Sequence, residues 1–208
     1  MTILFDLDYT LMDTAKLHDG LAEIFDREDY RSDYQNLFKD KGINFNADKY
    51  LEILKQQGRI DEARESELKR GLAELMGGLD NFLKPGAIEV LKSFKQAGDK
   101  LVLITFGNKK WQAEKVKHLS IVKYFDQIFF DERNKSKSEF LKILGESGEE
   151  VLIINDNFSE AAEIKKLLGE RAELRLVKGK YNQDAEPNIE NLSELIKGKE
   201  KNKELNLR

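Results

Sequence analysis

The chain opens on an apolar run interrupted by two acids, Ile3-Leu4-Phe5-Asp6-Leu7-Asp8. Read as a strand, positions two apart face the same way, so Asp6 and Asp8 share one side. Two carboxylates held together are costly without a compensating cation. Two further runs of the same β-branched and large apolar character follow at 100–105 and 151–154, with weaker ones at 127–130 and 174–177. Helical patterns separate them at 86–96, 110–119, 138–144 and 159–168. Strands alternating with helices predict an α/β architecture: a Rossmann-like parallel sheet flanked by helices on both faces.

One stretch breaks the alternation. Residues 14–79 carry no convincing strand pattern; Leu17, Leu21, Ile24 and Phe25 form one apolar stripe, and Tyr50, Leu51, Ile53 and Leu54 begin another. Pro85-Gly86 then restarts the alternation with a residue suited to a first helical turn. The expected organisation is a core of residues 1–14 and 80–198, a small all-helical cap at 15–79 and a charged tail at 199–208.

Composition narrows function mainly by exclusion. A net charge of −4 and a pI near 5.5 offer no general attraction to nucleic acid, although a local pocket can still receive a small phosphorylated ligand. The absence of cysteine excludes disulfides, thiolate catalysis and cysteine-held metals. His18 and His118 are the only histidines, too few for a histidine-rich metal site. The amino terminus has no basic leader, and no apolar run approaches a membrane span, so the expectation is a cytoplasmic protein without a membrane partner.

Ligands of open parallel sheets bind beyond the carboxyl ends of the strands. The residues there are Asp6 and Asp8 after the first run, Thr105, Phe106, Gly107 and Asn108 after the second, and Asn155 and Asp156 after the third. Lys135 and Lys137 precede an intervening helix. Oxygen donors alone, in small number, suit magnesium. Phosphoryl transfer needs an oxygen nucleophile, a metal, and N–H or positive groups around the phosphate, and Thr105, the backbone of 106–108 and a lysine could supply the last of these. Ser136 and Glu139 have the spacing of a capping box, which would put Lys137 in the first helical turn with Phe140 and Leu141 facing the core.

These residues, in this order, resemble the haloacid dehalogenase-like hydrolases, most of which are phosphatases. Asp6-Leu7-Asp8-Tyr9-Thr10-Leu11-Met12-Asp13-Thr14 is similar to the family's first motif, Thr105 to its second, a lysine at a helix start to its third, and Asn155-Asp156 with Glu160 to its acidic fourth. Residues 83–91 and 97–100 resemble the helix before the second motif, and the stretch through Lys123-Tyr124-Phe125-Asp126 is also similar. The resemblance spans about 1–14 and 80–195 and makes the insertion a family-type cap.

Carried over position by position, the resemblance implies that Asp6 is the nucleophile forming an aspartyl phosphate and Asp8 the acid and base. Thr105 and Lys137, preferred over Lys135 by the family's helix-start placement, would bind phosphate with Phe106, Gly107 and Asn108. Mg2+ would be held by a carboxylate oxygen of Asp6, the carbonyl of Asp8, and Asp156, with Glu160 acting through water. Asn155 and Glu160 depart from the usual residues, which bears on metal affinity, and Tyr9 stands where Gly or Asn is common. The expected function is Mg-dependent hydrolysis of a small phosphomonoester. A phosphomutase is the alternative; a haloacid dehalogenase, which typically lacks an acid at Asp8, and an inactive binding module rank lower. His18, His118 and Trp111 are expected in structural roles, and the Tyr30, Tyr34, Phe38 spacing is expected to be a packed helix face.

Overall fold

The computed structural model describes residues 1–132, 138–179, 181 and 188–196. Its centre is a six-stranded sheet in the order β3-β2-β1-β4-β5-β6. The strands are β1 (Thr2–Phe5), β2 (Lys100–Phe106), β3 (Gln127–Asp131), β4 (Val151–Asn155), β5 (Ala172–Val177) and β6 (Asn188–Ile189). Every pairing is parallel, with Thr2 opposite both Lys100 and Val151. β1 is hydrogen-bonded on both sides and buried on both faces, which is why its sequence is continuously apolar rather than alternating.

The connecting helices lie on the two sheet faces, and the two-residue side-chain period of the strands sorts the core. Leu4, Val102, Ile104, Val151 and Ile153 pack with Leu141 and Leu144 of α7 (Glu139–Ser147) and Ala161, Ile164 and Leu168 of α8 (Phe158–Leu168). Ile3, Phe5, Leu101 and Leu103 point the other way, onto Val90, Leu91 and Phe94 of α5 (Ala87–Gln96). That second cluster continues without a break into Leu17, Leu21, Tyr50, Leu68 and Met76. These belong to the helices between β1 and β2: α1 (Thr14–Phe25), α2 (Arg27–Asp33), α3 (Ala47–Gln56) and α4 (Glu62–Gly77). A π-helical turn at Tyr34–Lys39 extends α2, and no strand lies between β1 and β2.

Short polar residues start most of these helices. Asp13, Asn46, Asp61 and Asn157 each accept a hydrogen bond from the backbone N–H three residues on, at the starts of α1, α3, α4 and α8. Asn108 does the same for α6 (Lys109–Lys117). Such caps satisfy N–H groups that have no partner inside the helix.

The chain passes into the inserted helices and back at adjacent points. Asp13 N–H donates to the Phe82 carbonyl at 2.7 Å and Lys84 N–H to the Leu11 carbonyl at 2.8 Å, while Met12 bridges Leu83.

Element types follow the sequence reading, with three differences. β1 stops at Phe5, because residues 7–12 turn back and Leu11 and Met12 donate to the Leu7 carbonyl. α7 begins at Glu139 behind Ser138, whereas the capping-box spacing from Ser136 predicted an earlier start. The two-residue β6 is too short to leave a sequence pattern. No helix among the described residues is long and apolar enough to cross a membrane.

Candidate active site

The strand order reverses direction between β1 and β4, and the chain leaves the carboxyl ends of these two neighbours at Asp6 and Asp156. This is the switch-point crevice where open parallel sheets bind ligands. Asp6 and Asp156 are 5% and 2% exposed. The Thr10 hydroxyl lies 3.0 Å from Asp6 Oδ2 and 3.3 Å from Asp156 Oδ1, and accepts the Asp156 N–H at 3.0 Å. One hydroxyl carries one proton, so it can donate to only one of the acids at a time. Gly179 packs so closely behind Asp156 that a Cβ there would lie 3.0 Å from the Asp156 Cβ, which holds that carboxylate in place.

Two buried carboxylates gathered round one hydroxyl form an all-oxygen donor set that fits Mg2+. No three His, Asp or Glu side chains among the described residues make a ready cage. The fit therefore rests on Asp6 and Asp156 with the Asp8 carbonyl and water, consistent with an ion that keeps several waters. Asn155 and Glu160 engage each other: Asn155 Nδ2 donates to Glu160 Oε2 at 2.9 Å.

Asp8 faces another set of partners. Lys115 Nζ lies 2.6 and 2.7 Å from its two oxygens, Gln112 Nε2 donates to Oδ2 at 2.9 Å, and the Thr14 hydroxyl donates to Oδ1 at 2.7 Å. Burial pushes the Asp8 carboxyl up, but the Lys115 charge and the hydrogen bonds from Lys115, Thr14 and Gln112 outweigh it, leaving Asp8 below its usual value. Asp8 is thus held as a carboxylate. Gln112 reaches it because Gly107 has no side chain: a Cβ at Gly107, whose φ is +144°, would lie 2.5 Å from Gln112 Nε2. The same amide donates to the Phe106 carbonyl at 2.9 Å, which ties the end of β2 to α6.

The remaining expected residues divide. Phe106, Gly107 and Asn108 line the cavity above the acids. Thr105 ends up fully buried beneath it, outside the lining residues, with a hydroxyl that has no hydrogen-bond partner among the described residues. Lys135 and Lys137 lie outside the described residues.

The cavity has a volume of about 370 Å³ and lies between the strand ends and the inserted helices. Three residues expected in structural roles also border it. Trp111, Tyr34 and His18 all line it, with Phe45 between them: the Phe45 ring is 5.7 Å from Trp111 and 5.6 Å from Tyr34. His18 Nδ1 is 2.7 Å from the Tyr30 hydroxyl, which fixes its ring plane. Tyr30 and Phe38 are packed as expected. Tyr9 also lines the cavity, at φ +60°, a conformation that costs a non-glycine residue about 1–2 kcal/mol. Sequence reasoning missed Lys115 and Gln112. Their i, i+3 spacing on α6 puts them on one face, but nothing in a chain that is 36% charged marks which lysine is buried.

The comparisons agree with this architecture. The family profile of haloacid dehalogenase-like hydrolases matches residues 3–167. The chain belongs to this family, and it is a hydrolase of it. Among curated protein sequences none matches. Among solved structures, a chain assigned as a haloacid dehalogenase-like hydrolase from Burkholderia xenovorans superposes with a TM-score of 0.67 at 18% identity, covering 94% of both chains. A chain assigned as a β-phosphoglucomutase from Thermotoga maritima gives 0.60 at 22%, covering 96% of this chain and 98% of that one. A HAD-hydrolase from Bacillus subtilis bound to magnesium gives 0.54 at 18%, covering 93% and 96%. At these identities the likeness is one of fold.

Proposed function

We propose that this hydrolase removes phosphate from a small phosphomonoester, with Asp6 as nucleophile and Asp8 as the group that moves protons. The observation that carries the reading is the division of labour between the two acids. Asp6 sits with Asp156 at the switch point, while Asp8, two residues on, is held separately by Lys115, Gln112 and Thr14. Paired carboxylates kept in different environments are suited to different tasks.

In this reading an Asp6 oxygen attacks phosphorus as the bond to the leaving oxygen breaks, and Asp8 passes to that oxygen the proton that it takes from the phosphomonoester monoanion on binding. Asp8, again a carboxylate, then takes a proton from the water that attacks the aspartyl phosphate, and the phosphorus–Asp6 bond breaks. The ionised form favoured by Lys115 is the one the second half-reaction requires. Mg2+, held by Asp6, Asp156 and the Asp8 carbonyl, would neutralise charge on the phosphate oxygens and on the acids that must approach it. The N–H groups of 106–108 and a lysine at 135 or 137 would complete the phosphate cradle. We take residues 15–79 as the cap over a core of 1–14 and 80–198, and the partner as a small phosphorylated metabolite in a cytoplasmic setting. The acidic balance and a cavity of about 370 Å³ support that choice over a polyanion.

The test is phosphate release from a panel of small phosphomonoesters, with magnesium and with EDTA, for wild type and Asp6→Asn. The expected result is magnesium-dependent release that falls about a thousandfold or more in the variant. Unchanged turnover by Asp6→Asn, or chloride release from a haloacid, would overturn the proposal. Phosphate migration between sugar positions in place of release would identify a mutase.

A further inference from the structure

We propose that the leaving group of the substrate carries a flat, uncharged ring, which stacks on the aromatic wall of the cavity while its phosphate lies over Asp6. This rests on the hydrolase reading above and adds the substrate class to it.

Three independent observations support it. Aromatic rings border the cavity: Tyr9, Tyr34, Phe45 and Trp111 all line it, and the ring pairs Phe45–Trp111 and Tyr34–Phe45 meet edge to face, at 85° and 64°. Rings with fixed, mutually tilted planes offer faces to a planar guest, and stacking of a base on such a face tolerates many ring types. Next, Tyr9 occupies a left-handed backbone position, φ +60°, that glycine would take without strain. A strained residue persists only where its surroundings impose it, and strain of this kind concentrates at ligand sites. Finally, the charge of the lining opposes a second anionic group. The only lysine or arginine among the described lining residues is Lys115, and its ammonium is already bound to both oxygens of Asp8. Asp6, Asp8, Asp156 and Glu160 are all acids on the same cavity. Among the described lining residues no cation remains for a second anionic group on the leaving group, whereas a neutral ring needs none. The same chemistry is offered by a nucleoside monophosphate and by a phosphorylated pyridine alcohol.

Matched ligands isolate the ring. Ribose 5-phosphate and uridine 5′-monophosphate share phosphate and sugar and differ in the base. Their affinities for Asp6→Asn protein with magnesium are measured by calorimetry, alongside inorganic phosphate and pyridoxine 5′-phosphate. Trp111, the only tryptophan in the chain, reports ring contact through its fluorescence. The expected result is that at least one ring-bearing ester binds about tenfold or more tightly than ribose 5-phosphate and perturbs Trp111 emission. Whichever of the two does so names the source of the ring. Tyr9→Gly, added to Asp6→Asn, removes one wall and relieves backbone strain, so it should fold and shrink that preference several-fold. Equal affinity for ribose 5-phosphate and both ring esters overturns the inference, as does tight ring binding that leaves Trp111 unperturbed. Phosphate release by wild type from the same ligands separates the two ideas. Turnover without ring preference sinks this inference and leaves the hydrolase reading standing; ring preference without turnover does the reverse.

Discussion

Lys115 is 2% exposed, and its ammonium is committed to an acid that is itself only 22% exposed. Removing one partner of such a pair leaves a charge stranded, so Lys115→Met should cost about 3 kcal/mol in urea unfolding, the low end for breaking a buried pair because Asp8 is partly wet. The sign of the pH effect follows from the same contacts. With Lys115 present Asp8 titrates below 3.8, so the stability it contributes is present above that value and is lost as pH falls through the lower folded-state pKa. Without Lys115 burial is opposed only by Thr14 and Gln112, the pKa rises, and the acid limb of kcat/KM should move to higher pH. Gly107→Ala attacks the neighbouring support. Its Cβ would collide with the Gln112 amide at a φ of +144°, so a loss of about 1–3 kcal/mol in thermal unfolding is expected, with a lower kcat as Gln112 leaves Asp8. Asp6, Asp8 and Asp156 were legible in the sequence because strand ends are readable and acids at strand ends are conspicuous. Lys115 was not, since burial of a long charged side chain is decided by a fold contact spanning 107 residues of chain.

Among the elements, α6 does the most to join the two sides of the cavity. Its cap, Asn108, accepts the Trp111 N–H and also the Asn46 Nδ2 at 3.1 Å, so one side-chain oxygen starts the helix and ties it to the cap of α3. Asn108→Ala should therefore cost about 1 kcal/mol or somewhat more, where Asn157→Ala at the start of α8 costs about 1 kcal/mol for the cap alone; paired thermal melts test the difference. Alternation of apolar runs with helical patterns was enough to identify five strands and the four helices of the core. Boundaries were less legible than element types. β1 ends early because residues 7–12 fold back on Leu7, and α7 starts late because Ser138, rather than Ser136, stands at its N-cap position. Tyr34 was read as part of a packed stripe, but the helix widens into a π-turn from Tyr34 onward, and Tyr34 reaches the cavity.

At the scale of the molecule, the strand side carries its own acid-sensitive tie. Asp126 binds Lys95 of α5 and accepts the Leu101 N–H of β2, and the Lys95 hydrogen bond holds its carboxyl below 3.8. That tie contributes above 3.8 and is lost as pH falls through the lower folded-state value, so Asp126→Asn should lose less stability between pH 7 and pH 3 than wild type, measured as the shift in urea midpoint. The two crossings between core and inserted helices have a different kind of consequence. Leu11–Asp13 and Phe82–Lys84 run side by side, hydrogen-bonded to each other, so the insertion begins and ends at almost the same point in space. A segment attached in this way is exchangeable: another helical module with a similar span would leave the strand register and the paired acids untouched. Simple excision would not, because Leu17, Leu21 and Met76 share a continuous apolar core with the sheet. The joint suits substitution at the level of whole modules, and a chimera carrying a foreign module on this seam is expected to keep the strand register when the new module presents an apolar face where Leu17, Leu21 and Met76 lie.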